Sequence, residues 1–184
     1  LPARPAHPAC GEDTDPKYTL ERYEILSVVE REWMTWNDVG IAVEELAAQI
    51  ESAGFRPDAV LALARGGLPA AGALAYALGV KNMATLNVEF YTGVDERLDE
   101  PLILPPVPDL TLLRMEHLLV VDDVADTGRT LALARDFCAE HVGDVRTAVL
   151  YEKPQSVVRA DFVWRRTEKW INFPWSTPAA VAAE

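Results

Sequence analysis

Two things are scarce in this chain, cysteine and positive charge. There are two cysteines in 184 residues. Cys10 and Cys138 form no metal-binding or redox spacing, so the expectation is a reduced, cytoplasmic protein with buried, inert thiols. Lys and Arg number 17 against 29 Asp and Glu, a net charge of -12. That balance excludes the broad basic surface that nucleic-acid binding requires. It also means that any Arg or Lys beside a candidate ligand loop carries extra weight. Neither a Gly-x-Gly-x-x-Gly fingerprint nor a Gly-Lys-Thr/Ser P-loop is present, which removes two common nucleotide cradles. A long uninterrupted apolar run is missing too. Residues 59–80, AVLALARGGLPAAGALAYALGV, come near it, but Arg65, Gly66, Gly67 and Pro69 fall near the middle. A strand, a tight turn and a helix explain the run better than a membrane span, and no membrane partner is expected. Residues 1–17 are Pro-rich with no apolar signal-peptide core, and are expected to form a loose leader.

What is present is enough apolar sequence, 49% of residues, for one domain with a substantial core over 18–184. The pattern predicts a helix over 18–33 and a second within 35–54. In the second, Trp36, Val39, Val43, Leu46, Ala47 and Ile50 share one face, and Gly54 is placed to stop it. A short apolar strand follows over 58–64, then a helix from Pro69 to about Leu78, closed by Gly79. Residues 82–91 have strand character. Residues 92–110, with four prolines and a charged cluster, are expected to be a long functional loop. HLLVVDD (117–123) is another buried strand, leading through a polar loop into a helix from about Gly128 to His141. Residues 145–153 form a strand, and 161–166 and 169–175 are short extended pieces. Alternating strands and helices predict an α/β fold: a single domain with a mainly parallel sheet flanked by helices. In such sheets ligands bind beyond the carboxyl ends of the strands.

Three loops with chemical content fall at those ends. VVDDVADTGRT (120–130) places Asp122, Asp123 and Asp126 close together, where like charges repel unless a cation sits among them. Adjacent acids at a strand end suit a hard cation such as magnesium. The following segment enters a helix with free backbone N–H groups and the hydroxyls of Thr127 and Thr130, a phosphate cradle of another type than the P-loop. ARGG (64–67) is a second turn that exposes backbone; Arg65 can clamp an anion and Gly66 and Gly67 allow close approach, although packing alone also explains two glycines. Two such loops suit a ligand with two separated phosphate groups. YEKP ends a third strand with Lys153.

LLVVDDVADTGRTL closely resembles the phosphoribosyl-diphosphate (PRPP) motif of type I phosphoribosyltransferases, and ARGG resembles their diphosphate loop. YEKP followed by KWINFPW is similar to the base-binding end of bacterial and archaeal 6-oxopurine members. The resemblance spans roughly 33–175. It implies transfer of a phosphoribosyl group from PRPP to hypoxanthine, guanine or xanthine, in purine salvage. It further implies a small base-binding hood added to the main sheet. Asp122 and Asp123 would lie near the ribose hydroxyls and Mg2+, and Ala125, Asp126, Thr127, Gly128, Arg129 and Thr130 around the ribose phosphate. Asp126 would be the catalytic general base beside purine N7, and Arg65, Gly66 and Gly67 would hold the diphosphate. On the base side, Lys153 would donate to the 6-oxo group, Trp170 would stack, and Ile171 would offer backbone groups. The 92–110 segment stands where the family has a mobile loop, and a homodimer or homotetramer is the family's habit. Two alternatives remain: a transferase of the same fold for another nitrogenous base, or a PRPP-binding regulator without transfer activity.

Overall fold

The computed structural model describes residues 30–93, 96–108 and 116–176. The leader and most of the helix expected over 18–33 lie outside them. Of its four described positions, Arg31–Trp33 form a short strand, β1, rather than a helical turn. β1 pairs in parallel with β8 (Trp170–Asn172), with Glu32 opposite Ile171. Two extended pieces far apart in sequence thus find each other, which a local reading of 18–33 had no means to register.

Helix α1 (Trp36–Ser52) starts at a complete capping box. The Thr35 side chain accepts from the Asp38 N–H, and Asp38 accepts from the Thr35 N–H. Its buried face is Val39, Ala42, Val43, Leu46, Ala47 and Ile50. Trp36, expected on that face, is instead exposed and leans on Trp175, ring centroids 5.6 Å apart. It sits at the first turn of the helix, ahead of the buried face that begins at Val39.

The main sheet has six strands in the order β4-β3-β2-β5-β6-β7. β2 (Ala59–Ala64), β3 (Asn82–Gly93), β5 (His117–Ala125), β6 (Asp144–Glu152) and β7 (Phe162–Arg166) run parallel to one another. β4 (Glu96–Leu104) runs antiparallel on β3. Much of the expected 92–110 loop is therefore strand. Prolines were the reason to expect a loop, but β4 is the edge strand, where proline costs no ladder bond on the open side. Pro101 also falls within the register break between the pairs Glu89–Leu102 and Tyr91–Arg97.

Alternate residues of β2 feed two cores. Val60 and Ala62 pack with α1 and with α2 (Gly67–Ala77), while Ala59, Leu61 and Leu63 pack on the other face with α3 (Arg129–Ala139). A strand buried on both faces has no reason to alternate in polarity, which is why β2 reads as continuous apolar sequence. Cys138 is buried in the α3 core, and burial pushes its thiol up to about 12, consistent with an inert thiol. Among the described residues no helix is long and apolar enough to cross a membrane.

The strand order reverses at β2 and β5: the chain moves outward from β2 to β3 on one side, and from β5 to β6 on the other. Loops leaving the carboxyl ends of those two strands diverge and open a crevice. Residues 65–67 and residues 122–130, the end of β5 with the turn into α3, lie at that point.

Candidate active site

The β2 loop is pressed onto β5. A side chain at Gly66 would collide with the Asp123 carboxylate, and one at Gly67 with the Val121 carbonyl and the Asp122 backbone. Packing therefore demands both glycines before any ligand is considered. The tight fit brings the exposed Arg65 to the same edge as the acid pair. The Ala64–Arg65 peptide is cis.

Asp122 and Asp123 are partly buried at the end of β5. Asp122 Oδ1 accepts the Asp123 N–H at 2.9 Å. Burial, reinforced by the neighbouring Asp123 charge, holds the Asp122 carboxyl well above the usual carboxylate range. Burial also raises Asp123, while the Trp175 indole N–H, donating to Oδ2 at 3.2 Å, pulls it part of the way back. Two adjacent acids in this state favour whatever brings positive charge to them.

Gly128 caps α3 with φ 75°, a left-handed conformation that suits glycine. A side chain there would also strike Ser156 Oγ. The 125–128 loop is stitched to the loop after β6. Lys153 N–H donates to the Ala125 carbonyl at 3.0 Å, and Val157 N–H to the Thr127 carbonyl at 2.8 Å. Gln155 Nε2 donates to Asp126 Oδ1 at 2.7 Å. Asp126, Thr127 and Arg129 are exposed at the mouth of α3 and Thr130 is half-buried, so the segment leading into the helix faces solvent as a cradle must.

Lys153 is buried, not the solvated lysine that a strand end commonly shows. Its Nζ donates to the Lys169 carbonyl, next to β8. Burial lowers its pKa, with Asp126, Glu32 and Glu168 opposing the shift. Trp170 is 56% exposed, so it is no core residue, while Ile171 is buried within β8. The neighbouring Glu152 points elsewhere: its carboxylate receives Arg159, Arg166 and the Ala160 N–H. The structure thus joins Arg65–Gly67 to Asp122–Asp123, Ala125–Gly128 to Lys153–Ser156, and Lys153 to the start of β8. Two participants were absent from the sequence-based set. Gln155 belonged to a loop without a motif, and Trp175 sits 52 residues from the aspartate it meets.

The phosphoribosyl transferase domain family matches residues 34–181, most of the chain, and the protein belongs to that family. Its likeness runs to the purine branch of the type I enzymes. A xanthine-guanine phosphoribosyltransferase of Ruegeria sp. is 28% identical over 153 residues, 77% of this chain and 83% of that one. One from Idiomarina loihiensis is 29% identical over 147 residues, 78% of this chain and 85% of its own. A crystal structure of a purine phosphoribosyltransferase from Pyrococcus horikoshii superposes with a TM-score of 0.67 at 30% identity, over 84% of this chain and 99% of that one. The mainly parallel α/β architecture expected from the sequence is the architecture observed.

Proposed function

We propose that the protein transfers the phosphoribosyl group of PRPP to a 6-oxopurine base, giving the nucleoside monophosphate and diphosphate, in the cytoplasm and as a homodimer or homotetramer. The observation that carries this reading is the stitching of the Asp126–Gly128 loop to the Lys153–Ser156 loop. It supports the reading because it ties the loop entering α3 to the loop that carries the buried Lys153 amine, whose Nζ donates to the Lys169 carbonyl next to the exposed Trp170.

In this reading the backbone N–H groups of Asp126 to Thr130, at the N-terminus of α3, hold the ribose phosphate, aided by the helix dipole. Arg65 clamps the diphosphate end. Asp122 and Asp123 face the ribose hydroxyls and Mg2+. Their chemistry fits such an ion in part. Among the described residues no group of three or more His, Cys, Asp or Glu forms a closed cage, so the remaining ligands would come from substrate and water, as magnesium sites commonly arrange. Magnesium, when bound, supplies charge neutralisation for the departing diphosphate. Departure leaves an oxocarbenium-like centre, which nearby carboxylates stabilise electrostatically. Asp126 takes the proton at purine N7 as general base. Lys153 donates to the 6-oxo oxygen, exchanging its bond to the Lys169 carbonyl for one to the base. Trp170 offers its exposed face for stacking and Ile171 its backbone groups.

The test is a panel of purine and pyrimidine bases incubated with PRPP and magnesium, read by diphosphate release. Release with hypoxanthine, guanine or xanthine, and little with adenine or pyrimidines, is expected. Release only with another base would reassign the substrate. Tight PRPP binding without transfer to any base would make the protein a PRPP-binding regulator.

A further inference from the structure

The C-terminal aromatics make a contact that the proposed reaction does not use. Trp175 stacks on Phe173 with centroids 5.0 Å apart and planes 10° from parallel, and it also meets the Trp36 ring at 5.6 Å. This fixes the indole so that Nε1–H reaches Asp123 Oδ2 at 3.2 Å. Gly66 closes on the same carboxylate, so closely that no side chain fits there. Asp123 is thus wedged between the β2 loop and the C-terminal aromatics. Besides the indole, the Val124 N–H stabilises this carboxylate, so the indole is the donor that the C-terminal segment adds.

We propose that Trp175 is a positioning residue for PRPP binding: its stacked indole N–H holds the Asp123 carboxylate in the orientation that receives the ribose end of the ligand. The inference rests on the functional reading above, and it gives the C-terminal segment a task beyond packing. Trp175→Phe keeps a ring for the stack on Phe173 and removes only the donor.

In calorimetric titrations with PRPP and magnesium, Trp175→Phe is expected to bind about 10-fold more weakly, the size of one hydrogen bond to a charged group. The KM for PRPP should rise by the same factor, with the KM for the base unmoved and the ligand-free melting temperature lowered only by the loss of that one bond. In an Asp123→Asn background, already weak for PRPP, adding Trp175→Phe should cost nothing more. A ligand-free readout accompanies these. In the 15N spectrum the indole N–H of Trp175, assigned by its loss in Trp175→Phe, should move in Asp123→Asn and stay in place in Glu152→Gln. Unchanged PRPP affinity in Trp175→Phe would overturn the proposal, as would the same loss persisting beside Asp123→Asn, or a fall in melting temperature with both KM values raised. An unmutated protein that binds no PRPP would bring down the functional reading itself. Tight binding by the unmutated protein with an indifferent Trp175→Phe would sink this inference alone.

Discussion

Two neighbouring strands of the sheet carry acid at or near their carboxyl ends, and the two are finished differently. β6 ends at Glu152, which has no exposed surface; Arg159 at 3.0 Å, Arg166 at 2.9 Å and the Ala160 N–H at 2.8 Å all donate to it. Burial pushes its carboxyl up, but those three donors outweigh burial and leave it below the ordinary value. β5 carries Asp122 and Asp123, met by a backbone N–H and a neutral indole, and burial leaves both raised. A buried charge that the protein itself answers is architecture. A pair left with raised affinity for positive charge, at the point where strand order reverses, is the pair that the proposed function assigns to a ligand's counter-charge. Asp126 is a third case, exposed and bonded to the neutral Gln155 amide.

Substitutions can break this division. The largest effect is expected at Asp126. Asp126→Asn should lower turnover by about 100- to 10,000-fold, the usual worth of general-base help, with PRPP affinity changed little because the cradle is backbone-built. Steady-state rates beside PRPP calorimetry check it. Loss of PRPP binding with per-site turnover intact would reassign the roles within DDVAD.

Glu152→Gln should act on stability and spare PRPP affinity. Both arginines are largely exposed and can return to water, so the loss is expected to be about 2 kcal/mol, below that of a fully buried pair. For a domain of this size that is a thermal midpoint lower by about 4–8 °C. The same residue sets a pH dependence. Its folded pKa lies below the ordinary 4.5, so its contribution is complete above that value and fades as pH falls through the folded pKa. The stability gap between the unmutated protein and Glu152→Gln should therefore shrink in acid unfolding below about pH 4.5; a constant gap would contradict the charge-based account.

Asp122→Asn should show the smallest shift and the opposite sign. Removing one of two repelling buried charges is expected to raise the thermal midpoint by about 2–4 °C, near 1 kcal/mol, while PRPP binding is lost. A destabilised Asp122→Asn would place that aspartate with Glu152, as architecture.

How much of this was legible in sequence divides along the same line. The 122–130 segment is contiguous, and its acids, hydroxyls and helix entry could be read together; the parallel sheet followed from strand–helix alternation. Glycine 66, 67 and 128 were visible as glycines, but that β5 and Ser156 demand them is a packing fact. β4 was hidden by Pro101, because proline content does not tell an edge strand from a loop. β1 and the Trp36–Trp175–Asp123 chain of contacts were hidden by distance along the sequence.

The direct test of the contrast between answered and unanswered charge is PRPP calorimetry with magnesium and then with excess EDTA, on the unmutated protein, Asp123→Asn and Glu152→Gln. The account predicts tight, magnesium-dependent binding by the unmutated protein and by Glu152→Gln, and weak binding by Asp123→Asn in either condition. Binding that ignores EDTA, or that survives Asp123→Asn while failing in Glu152→Gln, would contradict it.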